Sequence, residues 1–144
     1  MPLDPSGLSS DLEGLASSPP DTVAGCAAAW ADAMEGYAAA VIPASTTVST
    51  ARDALESALV TAFGSVAAPG METAFAAFAT TVGAGMAPAF VATPPPGPVG
   101  FASQFLSFPP THAAAAAAVS GIIDAWMRTG TATPSGGGAP VGWS

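Results

Sequence analysis

The chain has 144 residues with 8% charged and a net charge of −8, against roughly 25% charged in an ordinary soluble domain. Two Arg and no Lys cannot neutralise a run of phosphates, which argues against nucleic-acid binding. One Cys excludes an internal disulfide, and one Cys with one His excludes a zinc site built from those ligands.

The length suits one domain rather than two with separate cores. Its opening, MPLDPSG, has neither the basic nor the apolar region of a secretory signal. Leu8, Leu12 and Leu15 recur at i, i+4 and i+7 with Asp11 and Glu13 facing away. That spacing predicts a short leader helix over 6–16, stopped by Pro19-Pro20. Asp21 is placed to cap a second helix striped by Val23, Cys26, Trp30, Met34, Tyr37 and Val41 and ended by Pro43. The hydroxyls of Ser45, Thr46 and Thr47 open a third, striped by Leu55, Leu59, Ala62 and Val66 with Phe63 beside it. A fourth starts after Pro69-Gly70, carries Met71, Phe75, Phe78, Val82 and Met86, and frays near Pro88.

The connector 93–100, TPPPGPVG, is expected to be extended and stiff, because successive prolines favour polyproline II. Phe101, Phe105 and Phe108 mark one or two amphipathic turns. Thr111 then caps a last helix running through six alanines to Val119, Ile122, Ile123, Trp126 and Met127, with Gly130 as its C′ residue. Strand alternation over more than four residues is confined to Thr129–Thr133. The apolar runs 83–92 and 113–123 fall short of the roughly 18 to 20 residues that span a bilayer, so no membrane segment is expected. The expected fold is all-α: a compact bundle of four main helices over 1–130, with a short leader, a Pro-rich connector and an extended Gly/Pro tail over 131–144. Trp30, Met34, Tyr37, Leu55, Leu59, Phe75, Phe78, Val82, Ile123 and Trp126 should share one core.

Residues that carry chemistry are sparse. His112 follows a helix cap with no carboxylate near it in sequence to orient it, so it reads as an exposed first-turn residue. Cys26 lies on an apolar stripe with no flanking cation and reads as a small buried hydrophobe. Asp32 and Glu35 read as a solvated helix face, and Arg52–Glu56 and Asp124–Arg128 as i, i+4 pairs. Gly83-Ala84-Gly85 and Gly136-Gly137-Gly138 lack the strand before and the Lys after that a phosphate loop requires. These readings give no catalytic residue, no metal ligand and no cofactor.

The informative pattern is where charge is missing. Residues 1–72 hold nine acids and Arg52, whereas residues 73–144 hold only Asp124 and Arg128. A coding bias toward Ala, Gly and Pro explains a shortage of charge but not its segregation. A free-standing domain carries a surface about a quarter to a third charged, so the charge-poor half is expected to meet partners. The candidate contact residues are Thr80, Thr81 and Ala84 on the fourth helix, the aromatics Phe101, Phe105 and Phe108, and Trp143. The tail 131–144 offers only Val141 and Trp143 as sizeable apolar groups against the cost of ordering it. It is therefore expected to be ordered on another subunit, with Trp143 seated in a pocket there, and to be dispensable to the isolated domain.

The end of the last helix, Ile122-Ile123-Asp124-Ala125-Trp126-Met127-Arg128-Thr129-Gly130-Thr131, resembles a helix-to-tail signature of small structural proteins from tailed-phage and phage-derived gene clusters. The chain departs from that pattern in having a Pro/Gly tail in place of a Thr/Val-rich one. The resemblance implies a non-enzymatic subunit of a phage or phage-tail-like particle, in the neck, tail, baseplate or capsid decoration. Such a subunit is assembled in the bacterial host cytoplasm and acts among repeated copies of other particle subunits. The alternative is a soluble helical adaptor or assembly chaperone that shields a partner's apolar surface.

Overall fold

The computed structural model describes residues 2–65, 67–107 and 109–144. Val66 and Phe108, expected above as a stripe residue and a contact residue, lie outside the described residues. The chain forms α1 (Pro5–Ser17), α2 (Val23–Ala38), α3 (Val48–Phe63), α4 (Ala67–Ala84), β1 (Phe90–Thr93), α5 (Phe101–Leu106), α6 (His112–Met127), β2 (Thr131–Pro134) and β3 (Val141–Gly142). It is mostly helical, as the 3.6-residue periodicity implies.

The helix starts follow the capping chemistry of short polar side chains. Asp4 accepts from the Ser6 N–H at 2.9 Å, Thr22 from Gly25 at 3.0 Å and Thr111 from Ala114 at 3.1 Å. Thr22, rather than Asp21, therefore caps α2. The same Asp4 carboxylate also takes the Ser6 hydroxyl, which holds its pKa below the ordinary value. Helix α4 begins at Ala67, ahead of Pro69, which is tolerated because first-turn N–H groups have no intrahelical acceptor.

The hydroxyls of Ser45, Thr46 and Thr47 serve a different helix from the one they precede. Ser45 Oγ donates to the Val82 carbonyl at 2.6 Å, Thr47 Oγ1 to Thr81 at 2.5 Å and Thr46 Oγ1 to Gly85 at 3.2 Å. They add donors at the C-terminal end of α4, where the Gly85 N–H is shared between the Thr81 and Val82 carbonyls at 3.4 and 3.1 Å, while α3 starts at Val48 without a side-chain cap. Gly85 is required at this junction, since a Cβ there would run into Ser45 Oγ and Thr47 Oγ1 and lie 2.6 Å from the Thr47 nitrogen.

Packing is sequential. α1 lies against α6 and α2, α2 against α3, and α3 against α4, with Leu55, Leu59, Met34, Phe75, Phe78, Val82, Ile123 and Met127 buried between them. Tyr37 and Trp126 are buried in the same core, and Trp30 is half-buried against it. Aromatic edges link the layers: Trp30 meets Phe75 at 6.2 Å between ring centroids and Phe75 meets Phe101 at 4.8 Å, both edge-on. The connector is pinned at two places. Trp126 Nε1 donates to the Gly97 carbonyl at 3.0 Å, and Glu72 of α4 accepts the N–H groups of Val99, Gly100 and Phe101 at 2.6, 2.9 and 2.7 Å.

The expected extended tail is corrected by the structure. Residues 131–144 supply β2 and β3 of a three-stranded antiparallel sheet in the order β1-β2-β3, with Phe90 opposite Pro134 and Thr131 opposite Gly142. Gly137 and Gly138, at φ 91° and 141°, make the turn between β2 and β3. Trp143 is 1% exposed and fills this chain's own core rather than a pocket on another subunit. Its indole lies against Gly130 on one side and near Gly83 of α4 on another: a Cβ at Gly130 would sit 2.6 Å from Trp143 Cδ2, and one at Gly83 3.2 Å from Cζ2. Gly130 is thus needed for close approach. It is absent from the positive-φ glycines, so it is not the left-handed cap expected of it. Beyond β3, Ser144 exchanges backbone hydrogen bonds with Ile42 at 2.8 and 3.1 Å.

One polar chain, from the buried Tyr37 to the exposed Arg128, ties the start of the protein to its last helix. The Tyr37 hydroxyl donates to Asp124 Oδ1 at 2.7 Å, Arg128 Nε donates to Asp124 Oδ2 at 2.8 Å, and Arg128 Nη2 reaches the Leu3 carbonyl at 2.6 Å. Burial, and then the Asp124 carboxylate, push the Tyr37 phenol well above its ordinary value. The neutral phenol is the folded form, so its contribution is complete below the unfolded pKa of about 10 and is lost as pH climbs toward the folded value. Stability should therefore fall from about pH 10 upward. Tyr37 is the sole tyrosine, so tyrosinate absorbance should appear together with unfolding and not before it. Tyr37→Phe should remove this part of the alkaline loss; an unchanged alkaline slope in that variant would refute the assignment.

Candidate interaction surface

The C-terminal half of α4 and strand β1 enclose an open groove of about 360 Å³, lined by Thr80, Gly83, Ala84, Phe90, Val91 and Pro94 among others. The strand takes this position because Gly83 lets Ala92 and Trp143 approach α4 closely; a Cβ on Gly83 would lie 3.0 Å from Ala92 Cβ. Phe90 and Ala92 turn toward α4, and Val91 and Thr93 turn outward, with Val91 65% exposed. No lining residue is ionisable. The Thr80 hydroxyl is turned back onto the Ala76 carbonyl of its own helix at 2.9 Å, which leaves the wall apolar.

Ladder geometry exposes part of the β1 backbone. Ser135 N–H donates to the Ala89 carbonyl at 2.9 Å, so Ala89, Val91 and Thr93 direct their backbone groups at β2. Phe90 and Ala92 then face the other way, because antiparallel pairs alternate. The Phe90 N–H is taken by the Met86 carbonyl at 3.1 Å. The Phe90 carbonyl and both backbone groups of Ala92 line the free edge, without a hydrogen bond to any described residue.

A second apolar feature lies toward the opposite end of α4, where Glu72 holds α5. Phe105 stacks on Phe101 at 5.7 Å and is 41% exposed, and Leu106 beside it is 77% exposed. Phe101 itself is fully buried, so its assignment as a contact residue is corrected: it sits over Phe75 as part of the core. Trp143 is corrected for the same reason. Of the remaining candidates, Thr80 and Ala84 are exposed in the groove, while Thr81 is half-buried and bonded to the Ala77 carbonyl at 3.0 Å.

Charge gathers elsewhere. Arg52 on α3 binds Asp32 of α2 at 2.7 Å, Asp53 at 3.1 Å and Glu56, and these acids raise the guanidinium pKa above its ordinary value. Asp32 is thereby engaged across helices instead of forming a unit with Glu35. His112 is exposed, with Ser17 Oγ 3.4 Å from its Nδ1, and Cys26 is half-buried beside the Pro20 carbonyl at 3.6 Å. Among the described residues, no three His, Cys, Asp or Glu side chains gather in a metal-binding group, and no helix is long and apolar enough to cross a membrane. β1 and its free edge are what sequence reasoning missed; the only local signal was a four-residue Phe-Val-Ala-Thr run between Pro88 and Pro94. No protein-family model, curated protein or solved structure matches the chain.

Proposed function

We propose that this chain is a non-enzymatic structural subunit of a phage or phage-tail-like particle, a neck, tail, baseplate or capsid-decorating component that works through protein–protein contacts. The observation that carries this reading is the segregation of charge in space: the ion pairs of Arg52 lie on α2 and α3, while the α4–β1 groove contains no ionisable group. Contiguous uncharged surface rimmed by polar residues is the usual mark of a contact site. The Ile-Asp-Ala-Trp helix end supports the particle assignment by resemblance. In this reading the bundle of α1, α2, α3, α4 and α6 is the scaffold, and α4, β1 and α5 present the contacts.

The experiment is quantitative mass spectrometry of particles purified from a producing bacterial strain. A subunit is expected at a fixed, integral ratio to the other particle proteins after density-gradient purification. A chain abundant in the lysate yet missing from finished particles would overturn the reading and leave the transient adaptor or assembly chaperone, which shields apolar surface only during assembly.

A further inference from the structure

We propose that the free edge of β1 pairs antiparallel with β1 of a second copy, joining the two three-stranded sheets across a two-fold axis and bringing the α4 faces of the copies together. This names the copy-to-copy contact of an assembly subunit and so rests on the reading above.

Three observations select a second copy as the occupant. The first is the backbone. Antiparallel pairing centred at Ala92 would let each Ala92 N–H meet the Ala92 carbonyl of the other copy, which satisfies both edge groups of Ala92, while the Phe90 carbonyl falls opposite Pro94 and takes no ladder bond. The second is charge. A two-fold axis sets each residue near its own equivalent, so any ionised side chain close to the axis would face its like. In a chain of net charge −8, the α4–β1 face meets this condition: Thr80, Ala84, Ala87, Val91 and Pro94 are all uncharged. The small side chains on α4 also allow two helices to approach closely.

The third observation is closure. Beyond β3, Ser144 and Ile42 exchange backbone hydrogen bonds, and β3 itself is two residues long, so the four-residue β1 presents the longer open edge. Pro88 and Pro94 flank β1 and limit the pairing to a short stretch. The β1 edge, bounded in length, pairs once, and the two-residue β3 is too short for a second ladder. This gives a closed dimer in place of a growing fibre.

Sedimentation equilibrium of the full chain tests this. The average mass is expected to rise with concentration from 13.8 kDa toward twice that value. Val91 lies within one residue of the proposed axis and is exposed, so Val91→Glu and Val91→Lys should leave the melting temperature unchanged at concentrations where the wild type is monomeric. Each alone should weaken association at least about tenfold, and an equimolar mixture of the two should restore it. A chain that stays monomeric, an association indifferent to charge at Val91, or a mixture that fails to restore it would each overturn the proposal. So would protection of the Ala92 amide from exchange that appears only when a different particle protein is added. Particle incorporation of Val91→Glu is scored separately. A monomeric variant found at full ratio in particles removes this contact while keeping the particle role.

Discussion

Trp143→Ala is expected to cost about 3–5 kcal/mol of unfolding free energy, the range for deleting a buried aromatic. Trp143 is 1% exposed, and the surfaces that hold it come from three separate places: Gly83 in α4, Gly130 after α6, and the strand that carries it. Its backbone also belongs to the ladder, since Trp143 N–H donates to the Gly130 carbonyl at 2.9 Å. The cavity left by alanine has no flexible side chain on the glycine walls to collapse into it. A fall in Tm of roughly 10 °C or more follows for a chain of this size. The indole N–H is buried with no partner among the described residues, a penalty of about 1–3 kcal/mol that the wild type already bears. Trp143→Phe removes that penalty along with part of the packing, so it should cost clearly less than alanine. Urea titration of the three proteins checks the order. Equal stability of wild type and Trp143→Ala would show that the tail does not brace the fold.

Deletion of 131–144 follows the same logic and reverses the expectation from sequence. Without β2 and β3, strand β1 loses its ladder, and the surfaces beside Gly83 and Gly130 are opened to water. The truncated chain should therefore melt well below the full one.

The helices were legible because each buries one stripe, and a stripe is a local property of sequence. The alternation of Leu8, Leu12 and Leu15, and of Phe75, Phe78 and Val82, needs no knowledge of what lies opposite. Apart from the alternation at Thr129–Thr133, which overlaps β2, the sheet was not legible, for the opposite reason. β1 spans four residues and β3 two, too few for alternation to stand out, and each is held by a partner some forty residues away or across a glycine turn. The role of Trp143 was hidden in the same manner, because what makes its seat is the lack of side chains at Gly83 and Gly130. A tryptophan next to the end of a glycine-rich tail was the visible signal, but sequence does not say on whose surface it settles.

Ser45, Thr46 and Thr47 show a subtler limit. Their composition reads correctly as helix-terminal, and α3 does start directly after them. Yet their hydroxyls donate to carbonyls at and just beyond the end of α4, because two helix ends meet there and the C-terminal one presents carbonyls to them. The candidate surface was legible in half. Thr80 and Ala84 were identified from the missing charge on α4, whereas the strand edge beside them depends on pairing that no local pattern encodes.

Glu72→Ala is the second large effect, expected at about 2–4 kcal/mol, because hydrogen bonds to a charged group are worth roughly 1.5–3 kcal/mol each and the site is only half-buried. Glu72 is the last acid before the long uncharged stretch, and its side chain turns toward the backbone of the connector. Oε2 accepts from Val99, and Oε1 accepts from Gly100 and Phe101. The Gly100 and Phe101 N–H groups are donors that the start of α5 leaves open, with Val99 just before them, and Gly100, at φ 103°, supplies no side-chain cap. The carboxylate thus substitutes for a local cap from another helix. Its loss should free the segment that carries Phe101, a fully buried ring at 4.8 Å from Phe75. Glu72→Gln discriminates charge from shape: its single oxygen can keep two of the donors, while its NH2 group confronts the third. It should fall between wild type and alanine, with amide exchange quickened most at Val99. If Glu72→Ala leaves the exchange of Val99, Gly100 and Phe101 unchanged, α5 is held by its aromatic contacts alone and the carboxylate has no part in anchoring it.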